Sequence, residues 1–195
     1  MQLKKITGFI LNIRPHLEFD RIVSVFSSEF GRVYVFAKGV RRITSHRGSH
    51  LDLFNYVEME VEESSKTGRA KKYLREVAAQ QPFKSLKNKP TSFAAACIIA
   101  SFLERMLPED SPERTVFRLT QKTFHALDSG SEAKKILFMY FLKTLRVLGH
   151  LPPILPKRRA REMLWRALQT LDPQLTLNAR RTLGIFSSFE SSLSS

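Results

Sequence analysis

VEMEVEE, residues 57–63, alternates without a break: Val57, Met59 and Val61 fall on one side of the chain, and Glu58, Glu60 and Glu62 on the other. A period of two marks a strand with one buried and one wet face. Working outward, GRVYVFAK (31–38) is rich in β-branched and aromatic residues, a composition that lets both faces be covered. KITGFILNIR (5–14), DRIVSVFSS (20–28) and KYLREVAAQ (72–80) complete a set of five strands. Pro15, Gly31, Gly39 and the polar run SSKTGR (64–69) supply the turns between them. Five strands within residues 1–80 suggest a compact barrel, and the five-stranded oligonucleotide-binding (OB) barrel is the leading candidate.

After Pro82 the period changes. Residues 91–107 are apolar nearly all round, which predicts a central, buried helix. Ser111 followed by Pro112 reads as an N-cap and first turn, opening a helix that ends near Gly130. Another helix starts at Ser131, apolar at Ile136, Leu137, Phe141, Leu145 and Leu148, and stops at Gly149. LPPILP (151–156) is a rigid link. Two further helices are expected over 157–171 and 175–189, and the tail after them reads as frayed. The expected class is α+β: an OB-type barrel over 1–80 that binds nucleic acid, then an all-α domain over 81–195.

Composition narrows the chemistry. The 195 residues are 43% hydrophobic with 15 Phe, enough for a sizeable core, and 32 Lys and Arg against 18 Asp and Glu give a net charge of +14. Such an excess suits a polyanionic partner. Cys97 is the one cysteine, so neither an internal disulfide nor a thiolate zinc site can form; its apolar surroundings predict a core thiol. The five histidines show no metal-ligand spacing, and Ser27 and Ser28 beside Glu29 fit a turn better than a nucleophile. We expect no metal, no cofactor and no enzymatic activity. No signal-type N-terminus or membrane-length apolar run is visible, so a cytoplasmic protein without a membrane role is expected.

The charge is most concentrated in AKGVRRITSHRGSH (37–50), which carries Lys38, Arg41, Arg42 and Arg47 and no carboxylate. With Arg14, Arg21 and Arg32 these cations would follow a phosphate track. Gly39 would let the backbone approach an oxyanion or adopt positive φ. The loop reads as a phosphate clamp. Tyr34 and Phe36 share one face and Val33 and Val35 the other. One pair is core, and Tyr34 is the candidate for stacking on a base. A second cluster, Lys157, Arg158 and Arg159 in KRRAR, opens a helix, where cations are electrostatically misplaced unless an external anion meets them. Trp165 is read as core.

Several motifs occur together in one order. They are the IRP turn at 13–15, DRIV at 20–23, the FSSEFGRV hairpin, AKGVRR with Ser45 downstream, and Leu-x-x-Phe at 51–54. Residues 8–61 in this arrangement resemble the N-terminal domain of the bacterial RecO family, and YFLKTLRVLGH (140–150) resembles that family's helix ending in Leu-Gly. The four zinc cysteines of many members have no counterpart in LPPILPKRRAREML. The resemblance implies a recombination mediator active in DNA repair. It would bind single- and double-stranded DNA, anneal strands and assist recombinase loading on DNA coated by single-stranded-DNA-binding protein. It also implies partners: the acidic C-terminal tail of that binding protein, docked at Lys135, Leu142, Lys143 and Arg146, and the mediator RecR. A nucleoid-associated bacterial protein is the corresponding location. The alternatives from the residues themselves are an RNA-binding or ribosome-associated OB protein and a protein-docking adaptor.

Overall fold

The structure is a computed structural model that describes residues 2–42, 45–64, 70–154 and 159–183. Strands β1 (Gln2–His16), β2 (Asp20–Ser27), β3 (Gly31–Ala37), β4 (Tyr56–Ser64) and β5 (Lys71–Gln81) close a barrel in the order β1-β2-β3-β5-β4. All neighbours are antiparallel except β3 and β5, which meet in parallel at Val35 opposite Lys72 and Phe36 opposite Tyr73. This is the OB-type barrel expected from the strand count. The IRP motif is not a turn: Ile13 to Pro15 pair with β2 inside a strand that runs on to His16.

β1 is long because it serves two partners. Its first half pairs with β4, its second half with β2, and Gly8 belongs to both ladders. A Cβ on Gly8 would lie 2.4 Å from the Phe26 carbonyl oxygen. The alternation in VEMEVEE points Val57, Met59 and Val61 into the core with Ile6, Ile10, Val23, Val25, Val33, Val35, Leu74 and Val77. Glu62 departs from the pattern. It is buried at 5% exposure, where Arg75 pairs with its carboxylate.

Two compact units divide the chain, one of residues 1–83 and 103–117, the other of 84–102 and 118–195. The barrel unit thus takes in a segment well beyond the strands. Phe117 packs there on Phe9 (5.3 Å between ring centroids) and Phe26 (5.5 Å). Ser111 is not the cap of a helix. Its backbone lies against Gly31, and α3 (Arg114–Asp128) starts three residues later.

The helical unit comprises α1 (Lys84–Asn88), most of α2 (Pro90–Met106), most of α3, α4 (Ala133–Val147), α5 (Ala160–Leu171) and α6 (Pro173–Leu183). Phe102 meets Tyr140 and Phe141 edge to face in its core, and the buried Tyr140 hydroxyl lies 2.9 Å from that of Thr120. Burial pushes the Tyr140 phenol well above its ordinary pKa, so it remains a neutral hydroxyl. Trp165 is core, as expected. Cys97 is not. It is half-buried on the side of α2 that lines a hollow of about 450 Å³ with Phe93, Ile98 and Leu175, and burial raises its thiol pKa.

Candidate nucleic-acid interface

The basic connection after β3 is fastened to the barrel. The register Arg21 opposite Ala37 brings the β1–β2 turn, residues 17–19, alongside residues 38–42. The Asp20 carboxylate accepts the Gly39 N–H at 2.8 Å, and the Arg41 N–H donates to the Phe19 carbonyl at 3.1 Å. Gly39 has φ +68°, the left-handed conformation its sequence position suggested. Arg47 holds the other end. Its guanidinium donates to the carbonyls of Lys38 (3.2 Å), Arg75 (3.3 Å) and Leu74 (3.4 Å).

Lys38, Arg41 and Arg42 are exposed while their backbones are held. The Lys38 ammonium lies 4.8 Å from the centre of the Tyr73 ring, and the Arg42 guanidinium 5.4 Å from that of Phe19. Lys38, Arg42, His46 and Arg47 line a concavity of about 670 Å³ with Asp20 and Glu76. The two carboxylates come from other strands, so the loop is less purely cationic than its own sequence. A fixed cluster of cations in a concave setting attracts a polyanion without selecting its sequence.

A second hollow, about 360 Å³, lies on the side of the barrel. It is lined by Arg14, Tyr34, Phe36, Lys71, Lys72 and Asp110, among others. Val33 and Val35 are the core pair of β3, which leaves Tyr34 and Phe36 on the outer face. Phe36 lies 5.8 Å from His16 and 5.7 Å from Tyr73 between ring centroids, with the Lys71 ammonium 5.5 Å from its own. Flat rings bordered by Arg14 and Lys71 suit stacked bases with flanking phosphates. Phe36, Tyr73, Lys71 and Lys72 were not among the sequence candidates. The parallel β3–β5 pairing, which places them together, joins residues far apart in the chain.

Arg32 does not belong to this surface. It is 8% exposed, donates from Nε to the Leu107 carbonyl at 3.0 Å and from Nη1 to the Tyr34 hydroxyl at 2.5 Å, and pairs with Glu109 at 3.8 Å. Arg21 is half-buried on β2. Arg14 is open to solvent and lies 3.6 Å from Glu104.

In the helical unit, Arg159 is the exposed residue preceding α5, while Lys157 and Arg158 lie outside the described residues. On α4, Lys135 and Lys143 are exposed and Arg146 is half-buried, but Leu142 is only 8% exposed and offers little surface to a ligand. Met139 and Val147 are the apolar residues exposed on that helix. Among the described residues, no group of three or more His, Cys, Asp or Glu is arranged to hold a metal, and no helix is long and apolar enough to cross a membrane.

Two family models match this chain: Recombination protein O N terminal over residues 1–83, and Recombination protein O C terminal over residues 88–154. Among curated proteins, the DNA repair protein RecO of Syntrophobacter fumaroxidans is 25% identical over 154 residues, 79% of this chain and 60% of the relative. The DNA repair protein RecO of a Nocardioides species is 32% identical over 138 residues, covering 69% and 55%. That of Anaeromyxobacter dehalogenans is 29% identical over 152 residues, covering 78% and 59%. The chain therefore spans little more than half the length of these relatives. With one model on the barrel and the other on the helices that follow it, the chain belongs to the recombination protein O (RecO) family.

Proposed function

We propose that this chain is a DNA repair protein that binds single- and double-stranded DNA through the basic end of its barrel, without reading sequence. The observation that carries this is the set of three exposed cations, Lys38, Arg41 and Arg42, on backbone anchored to the β1–β2 turn and β5. Pinned cations lose little freedom when a phosphate arrives. A surface of that kind would hold two strands alike, which suits strand annealing and the loading of a recombinase on coated single strands.

Salt titration tests the reading. For single strands each phosphate contact adds about −0.7 to the slope of log K against log salt, so four or five contacts give a slope of roughly −3. Arg41→Ala with Arg42→Ala should weaken binding to all sequences alike and bring the slope to about −1.6. A flat salt response in the parent refutes the proposal, and an unchanged slope in the double variant removes the loop from the interface. Matched RNA run in parallel separates this reading from an RNA-binding role.

The helical unit supports a second contact. Lys135, Met139, Lys143 and Val147 follow one another at four-residue spacing on α4, so exposed cations alternate with exposed apolar side chains along one stripe. That pattern fits the acidic, apolar-ended tail of single-stranded-DNA-binding protein. Such a peptide should bind in the micromolar range, about −8 kcal/mol, and weaken when Lys143 and Arg146 are both changed to Glu. Equal binding by that variant would place the tail elsewhere. RecR is the further partner this reading predicts.

A further inference from the structure

Among the described residues, four other than glycine have positive φ: Leu17 (52°), Phe54 (65°), Phe83 (43°) and Asp110 (55°). Such backbone is disfavoured for bulky side chains and persists where something else holds it. Phe54 and Phe83 are 1% and 2% exposed, and their burial offsets the strain. Asp110, of a type that tolerates this region, holds Lys72 at 2.8 Å. Leu17 has neither compensation. It is 75% exposed at the tip of the β1–β2 turn, where Gly or Asn would fit without strain.

That tip is also tied to the basic loop. Beside Leu17, the Glu18 carbonyl accepts the Arg41 guanidinium at 3.0 Å, and the Phe19 carbonyl accepts the Arg41 N–H at 3.1 Å. The Phe19 ring, itself 39% exposed, carries the Arg42 guanidinium 5.4 Å from its centre. An apolar side chain thus stands beside the same cations that are proposed to hold phosphates. A side chain so placed is within reach of a strand whose phosphates are seated on Arg41 and Arg42.

We propose that Leu17 is a wedge that enters between neighbouring bases of the bound DNA and unstacks them, with Arg41 and Arg42 holding the flanking phosphates. Apolar side chains inserted at base steps unstack and kink nucleic acid in this way. The inference rests on the DNA-binding reading and adds an action to it. Local unstacking exposes base edges, which an annealing protein needs when it brings two strands into register. The small apolar area favours DNA over a lipid surface, since one Leu and a half-covered Phe are too little for stable anchoring.

The test uses the full chain and oligonucleotides carrying the fluorescent base pyrrolocytosine, dim when stacked and bright when unstacked. The parent should brighten the probe on saturation. Leu17→Gly should lose the brightening and bind less tightly, with the parent's salt slope because no charge has changed. Leu17→Met should retain the brightening, and Leu17→Gly should melt at a higher temperature than the parent as strain is relieved. Brightening by Leu17→Gly equal to the parent's would overturn the wedge, as would a lowered melting temperature, which would make Leu17 a holder of the turn. Saturable binding by the parent with no brightening would overturn the wedge alone, whereas no DNA binding at all would remove the proposed function with it. Sedimentation with phosphatidylserine vesicles that depends on Leu17, without brightening on DNA, would reassign the tip to a membrane surface.

Discussion

Gly31→Ala is expected to lower the stability of the barrel unit by about 3 kcal/mol or more, as the sum of two separate penalties. Gly31 has φ +69°, and a methyl group there would lie 2.1 Å from the Ser111 carbonyl oxygen and 2.4 Å from its carbon. The obstacle is backbone, so no side-chain rotation relieves it. Either the Gly31 turn or the segment carrying Ser111 has to move, and that segment also brings Leu107 and Glu109 to Arg32. Gly39→Ala isolates the conformational part. Its φ is +68°, but the nearest atoms to a new Cβ belong to the flexible Arg42 side chain, at 3.9 Å. It should cost roughly 1–2 kcal/mol. Denaturant unfolding of both variants gives the comparison, and equal losses would show that Ser111 yields without penalty.

The same contact explains what the sequence conceals about this fold. Strand periodicity is local, so VEMEVEE and DRIV announce themselves, and the apolar α2 reads as a buried helix without reference to any neighbour. The docking of residues 103–117 on the barrel rests on a glycine without a Cβ and on a backbone 80 residues away in sequence. Nothing in Ser-Pro at 111–112 distinguishes that role from a helix start.

The site shows a comparable division. Lys38, Arg41, Arg42 and Arg47 stand out because four cations fall together in the chain, and the structure places Lys38, Arg42 and Arg47 around one concavity. Asp20 and Glu76, which share it, come from strands whose pairing no local pattern encodes. In GRVYVFAK both phases of the alternation are apolar or aromatic, which leaves open which pair faces inward. Only the closed barrel decides that Tyr34 and Phe36 lie outside, where Phe36 meets Tyr73. Leu17 was silent for another reason: leucine carries no turn signal, so a left-handed leucine is invisible until the backbone is known.

Arg32→Ala should separate structure from binding among the basic residues. Arg32 looks like one more cation on the track, yet its guanidinium supports the Leu107 carbonyl, the Tyr34 hydroxyl and the Glu109 carboxylate. Truncation takes the Nε–H donor from the Leu107 carbonyl and the cation from beside Glu109, and breaking a buried pair costs about 3–5 kcal/mol. Glu109 is 29% exposed and regains some water, so the lower end of that range, about 3 kcal/mol, is expected. Arg32→Met, which keeps the alkyl packing, should recover part of the loss. In the folded fraction neither variant should alter the salt dependence of DNA binding, because the Arg32 side chain is only 9% exposed and has no free face for a phosphate. A stable Arg32→Ala protein with a slope reduced by about 0.7 would put Arg32 back on the phosphate track and imply that its enclosure opens when DNA binds.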